Sequence, residues 1–215
     1  MTDEKHPPGL ASDPSRTPGQ GLTKEDAVFR LWEGHWRYMR NERTVRPVSE
    51  SDRHDHSRGQ FPFVAFLGCS DSRMSPELIF DQVQGDIFVV RVAGNITGPG
   101  VTASLEYAVE VLGVRLIFIL GHEQCGAVMA ATDDPDLSGP IGALVREILP
   151  AVEEARTQPG CVLDNSVIAN VRRSVHRLGE ESAAIAQRIR CGDVRIVGAV
   201  YGMQSGDISV VETLG

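Results

Sequence analysis

The chain has 215 residues, 41% of them hydrophobic and 23% charged, with a formal net charge of −8. That length accommodates one α/β domain with a sizeable core. The acidic balance argues against a nucleic-acid or anionic-membrane surface, both of which need clustered Lys and Arg. No apolar run approaches the ~20 residues that span a bilayer. Residues 1–21 are polar, rich in Pro and Gly, and hold no stretch that would serve as a signal peptide, so a cytoplasmic location is expected.

Residues 1–21 read as a disordered tail, and 22–215 as a single α/β domain. Thr23 is placed to cap a helical arm from Lys24 to about Arg40, with Val28, Leu31, Trp32, His35 and Met39 along one stripe. Asn41 to Gly59 is polar and reads as an exposed loop. A strand near 63–67 follows, then a helix opened by Ser75-Pro76-Glu77, a strand over about 86–91 and a helix over about 101–112. The run 115–120 reads as another buried strand, and a short helix is expected over about 124–131. Beyond a break at Leu137–Pro140 come helices of about 141–155 and 163–190, then strands 194–201 and 208–212 joined as a hairpin. Strands that alternate with helices and lack polar interleaving imply a mostly parallel sheet of about five strands flanked by helices. The hairpin adds an antiparallel C-terminal edge strand.

The chemistry concentrates at two strand ends. Cys69 follows Phe63-Val64-Ala65-Phe66-Leu67, and His122 and Cys125 follow Leu116-Ile117-Phe118-Ile119-Leu120. Ligands and chemistry in α/β sheets gather at such ends. Two thiolates and an imidazole make the three-ligand set with which a catalytic Zn2+ keeps its fourth position open. A zinc there is expected to activate a water at a pKa near ~7, although two thiolates weaken the effect relative to neutral imidazoles. Asp71 and Arg73 lie two and four residues after Cys69. Asp71 is placed to orient that nucleophile, and Arg73 to pair with its carboxylate and keep it off the metal. A His-x-x-Cys pair is a weak signal by itself; the conjunction with a second strand-end Cys and an Asp/Arg pair is strong. The two remaining cysteines of the four, Cys161 and Cys191, fall outside this cluster and read as ordinary residues.

Cys69-Ser70-Asp71-Ser72-Arg73 followed by Gly121-His122-Glu123-Gln124-Cys125-Gly126-Ala127 resembles the signature pair of the β-class carbonic anhydrases. Gly85–Arg91 and Ser104–Val109 also match family segments, and the similarity covers roughly 23–212. The resemblance implies zinc on Cys69, His122 and Cys125, a catalytic pair of Asp71 and Arg73, and reversible hydration of carbon dioxide to bicarbonate. It further implies a homodimer or homotetramer, with Gln60, Phe88 and Tyr107 as substrate-pocket residues that in such assemblies come partly from the partner subunit. A dry pocket with one amide donor suits a small apolar substrate. Gln60 and Phe66 match the constitutively open branch of the family. Arg91-Val92-Ala93-Gly94-Asn95 departs from the usual run after the second strand in carrying smaller side chains.

Two other functions fit the same residues. One is hydrolysis of carbonyl sulfide or carbon disulfide at the same zinc. The other is a non-catalytic zinc-stabilised domain, which would need neither the Asp/Arg pair nor Gln60. Thiol redox chemistry is disfavoured because Cys69 and Cys125 lack Cys-x-x-Cys spacing.

Overall fold

The computed structural model describes residues 22–44 and 46–215, so the expected tail over 1–21 lies outside the described residues. Helix α1 (Lys24–Met39) begins where Thr23 and Asp26 close a capping box, each side chain accepting the other's backbone N–H. Its buried stripe is Ala27, Leu31 and His35, whereas Met39 at the end is partly exposed.

The segment expected to be loop contains a helix, α2 (Glu50–His56). Ser49 and Asp52 form a second capping box, and Arg46 clamps the Asp52 carboxylate with both terminal guanidinium nitrogens. This helix buries nothing, so apolar periodicity could not reveal it. Its start signal, Ser-x-x-Asp, is local hydrogen-bonding chemistry.

Strands β1 (Val64–Gly68), β2 (Ile87–Arg91), β3 (Leu116–His122), β4 (Arg195–Tyr201) and β5 (Ile208–Leu214) form one sheet in the order β2-β1-β3-β4-β5. Every pairing is parallel except β4 with β5, which closes the expected antiparallel edge. Alternate strand residues feed two apolar layers, as the two-residue side-chain period requires. Phe66 and Phe118 point with Leu31 and Phe80 to one side, and Leu67, Ile117 and Ile119 to the other, against Leu105, Val171 and Val175.

Helix α3 (Pro76–Ile79) is a single turn, and Ser75 precedes it without a capping hydrogen bond from its side chain. Helix α4 (Pro99–Glu110) starts two residues earlier than its apolar face suggests, because Pro99 fits the first turn. Helices α5 (Gly126–Asp133) and α6 (Gly139–Arg156) lead to α7 (Val162–Glu181) and α8 (Ala183–Arg190). The expected 163–190 helix is thus divided at Ser182. The Ser182 hydroxyl accepts from Ile185 N–H to cap α8 and donates to Glu106 at 2.6 Å. A third apolar cluster, including Val128, Val145, Ile148 and Val167, sits beneath Cys69 and Cys125. Among the described residues, no helix is long and apolar enough to cross a membrane.

Candidate metal centre

The strand β1 lies between β2 and β3, so chain connections leave the β1/β3 pair in opposite directions. That divergence opens a crevice at the C-terminal strand ends, where α/β folds place ligands. Cys69 immediately follows β1, and His122 is the last residue of β3. The register Gly68 to Leu120 sets Cys69 alongside Gly121 and next to His122. Cys125 reaches the same place through a tight turn in which Gln124 takes a left-handed φ of 52°. Glu123 pins that turn to the end of β4: its N–H donates to the Tyr201 carbonyl, and its carboxylate accepts from Met203 N–H at 3.0 Å.

The donor atoms of Cys69, His122 and Cys125 lie within 4.8 Å of one another, and all three residues are buried. His122 Nδ1 donates to the Glu123 carbonyl at 2.9 Å, which leaves the Nε2 lone pair free and aimed. That Nε2 atom is buried without a hydrogen-bond partner, a costly state for a group with no further role. The two sulfurs stand 3.8 Å apart. A tetrahedral zinc with Zn–S bonds of ~2.3 Å separates its sulfurs by ~3.8 Å. The donor set and its spacing therefore fit zinc.

At that separation one thiol can donate to the other. Cys69 is drawn toward thiolate chiefly by the hydrogen bond from Cys125, with the N–H groups of Asp71 and Gly94 adding, while burial opposes. Cys125 is pushed the other way by the same hydrogen bond and by its burial. A thiolate is the ligating form of cysteine.

Asp71 and Arg73 stand at the edge of this cluster. Arg73 Nε donates to Asp71 Oδ1 at 2.9 Å and Nη2 to Oδ2 at 2.7 Å, a two-pronged clamp. The Arg73 backbone N–H also donates to Oδ1. These bonds hold the Asp71 carboxyl well below the usual carboxylate range, against its partial burial. Oδ2 is 3.9 Å from the orphaned His122 Nε2. Arg73 Nη2 reaches the Gln124 carbonyl at 3.3 Å, tying the first ligand loop to the second. Arg91 fixes the first loop from below, donating to the carbonyls of Cys69 and Asp71 at 2.9 and 2.6 Å.

The expected pocket residues lie elsewhere on the chain. Phe88 is in register with Ala65, four residues before Cys69, or ~13 Å back along a strand. Tyr107 packs beside Phe88 with ring centroids 6.2 Å apart, and Gln60 is exposed ahead of β1. All three sit toward the end of the sheet opposite the sulfurs. Cys161 and Cys191 are exposed and outside the cluster. Sequence reasoning missed the roles of the Gln124 carbonyl, the Gly94 N–H and the residues of α7 behind it, because these contacts join segments distant along the chain.

The sequence profile of the carbonic anhydrase family matches residues 64–208. Carbonic anhydrase 2 of Mycobacterium tuberculosis is 38% identical over 192 residues, covering 84% of this chain and 93% of that protein. The carbonic anhydrase of Mycolicibacterium smegmatis is 38% identical, covering 74% of this chain and 79% of its own. Among solved structures, the β-carbonic anhydrase CcaA superposes with a TM-score of 0.68 at 27% identity, covering 85% of this chain and 86% of that one. One of the tetrameric β-carbonic anhydrases of Sordaria macrospora shares the fold with a TM-score of 0.69 at 23% identity, covering 88% and 96%. With its sheet order, its buried Cys/His/Cys donors and these relatives taken together, the chain belongs to the β-class carbonic anhydrase family, enzymes that hydrate carbon dioxide.

Proposed function

We propose that this enzyme hydrates carbon dioxide at a zinc ion held by Cys69, His122 and Cys125, with Asp71 and Arg73 keeping the fourth position open. The observation that carries the reading is the two-pronged clamp of Arg73 on a carboxylate that stands 3.9 Å from the unpartnered His122 Nε2. When bound, zinc supplies a water activated for nucleophilic attack near neutral pH. Asp71 would otherwise be a competing ligand. With both its oxygens engaged by Arg73 and its charge secured, it stays ionised and turned away, and its remaining lone pairs accept a hydrogen bond from the reacting water. That bond aims the oxygen lone pair at the substrate carbon. Carbon dioxide gains the hydroxyl to become bicarbonate, and the proton passes to solvent buffer.

Gln60, Phe88 and Tyr107 complete the substrate wall in this reading, supplied by the second subunit of a homodimer or homotetramer. Their position toward the far end of the sheet supports supply from a partner, as does the tetrameric state named for the Sordaria enzymes.

Zinc analysis of the purified protein paired with stopped-flow carbon dioxide hydration tests the proposal. Stoichiometric zinc with hydration well above the buffer rate is expected. Zinc-loaded protein that leaves the hydration rate at the buffer level would defeat it, and faster sulfide release from carbonyl sulfide would reassign the substrate.

A further inference from the structure

Besides the neighbouring thiol, backbone N–H groups reach the Cys69 sulfur, among them that of Gly94 at 3.3 Å. Gly94 lies in a short 3-10 turn, Ala93–Asn95, that follows β2 and packs over the ends of β1 and β3. Its φ of 69° is left-handed, and a Cβ there would sit 2.8 Å from Ile148 Cδ1 and 3.3 Å from Ala127 Cβ. Only glycine brings this backbone so close to the sulfur.

The turn is held from behind by α7. Asn170 Nδ2 donates to the Gly94 carbonyl at 2.7 Å. One turn later, the single proton of the Ser174 hydroxyl is shared between the Asn95 and Asn170 carbonyls, each 3.0 Å from Oγ. Asn170 and Ser174 are each 3% exposed, so water cannot replace either bond. The two peptides that follow Gly94 are thereby anchored, and they hold the Gly94 Cα to which the Ala93–Gly94 peptide, whose N–H meets the sulfur, is joined.

We infer that Asn170 is a positioning residue for the metal centre: by anchoring Gly94 through its carbonyl it keeps the Gly94 N–H on the Cys69 sulfur, limiting the charge that this thiolate gives the metal. The inference rests on the zinc reading above. Two thiolates donate more charge than neutral imidazoles and blunt the acidity the metal confers, and an N–H donor draws sulfur charge back. Partners one layer out from metal ligands typically matter tenfold or more in affinity. Without the Asn170 donor, the buried Gly94 carbonyl loses its partner and the turn relaxes away from the sulfur.

Cobalt(II)-substituted protein gives a readout that activity does not. In Asn170→Ala and Asn170→Asp, which remove the donor with and without a change of volume, the sulfur-to-cobalt charge-transfer band is expected to move to longer wavelength. Zinc release to a chelator should quicken about tenfold, and kcat should fall several-fold at unchanged KM. A band that stays at the parent position overturns the inference even if release quickens, because a merely structural role would loosen the metal without altering the sulfur. Should Asn170→Ala fail to fold, Ser174→Ala carries the same test, with a smaller shift in the same direction expected and an unmoved band overturning it. Parent protein that binds no cobalt overturns the metal reading itself; parent binding with unmoved variants overturns this inference alone.

Discussion

The three candidate metal donors and the three residues proposed for the pocket are built in opposite ways. Cys69, His122 and Cys125 converge within one chain, buried at 4%, 0% and 1% exposure, from adjacent parallel strands whose register sets them side by side. Phe88, Tyr107 and Gln60 gather toward the other end of the sheet, with Tyr107 44% exposed and Gln60 in solvent. A half-buried Phe88 beside an exposed Tyr107, at the far end of the sheet, does not finish a dry pocket around the same chain's metal centre. The contrast teaches that folding of one chain assembles the Cys/His/Cys centre, whereas the substrate wall proposed above calls for a second copy.

The largest effect should come from the centre. His122→Ala removes the one neutral donor of the proposed zinc site and leaves only two sulfurs, so zinc content and hydration should both fall to near background. Metal analysis of protein purified without added zinc checks this, and full zinc occupancy in the variant would break the picture of a self-contained centre. Next comes Arg73→Ala. Zinc should be retained, but the freed Asp71 carboxylate can turn toward the three donors, and hydration should drop by ~10²-fold or more, the scale of losing a positioned acid–base partner. Unchanged turnover would remove Arg73 from the mechanism.

A smaller effect separates the two regions directly. Phe88→Ala or Tyr107→Ala should lower kcat/KM about tenfold, or ~1.4 kcal/mol of transition-state stabilisation, while zinc content stays as in the parent. Dilution should imitate these variants: activity per chain is expected to decline as the assembly dissociates, with zinc still bound. Constant specific activity in a demonstrably monomeric sample would show that one chain builds its whole pocket.

What could be read in the sequence follows the same division between local and long-range causes. The strands around Phe66 and Phe118 announce themselves as unbroken apolar runs, because a parallel strand is buried on both faces. The ligands were legible because they sit directly behind those runs. Helix α2 was hidden because it buries no residue and is held by Ser49, Asp52 and Arg46. The division at Ser182 was equally hidden, since it answers to Glu106 on another helix, 76 positions away. Asn170 stands the same distance from Gly94, so nothing near either residue marks their pairing. Periodicity reports burial. It does not report which buried polar atom finds which partner.

The smallest predicted effect concerns the cost of the self-contained centre. Gln124 has an exposed side chain, yet its backbone is held at φ 52° so that its carbonyl meets Arg73 and its neighbour Cys125 turns inward. A left-handed residue with a Cβ costs roughly 1–2 kcal/mol, and glycine escapes this at an entropic penalty of roughly 0.5–1 kcal/mol. Gln124→Gly should therefore range from neutral to about 1.5 kcal/mol more stable. A β-branched residue suffers more in that backbone region, so Gln124→Val should be destabilised by about 1–2 kcal/mol. Urea midpoints of the zinc-loaded proteins decide the matter. If valine were tolerated better than glycine, the turn would not be strained, and the claim that the chain bears the cost of closing its own metal centre would lose its support.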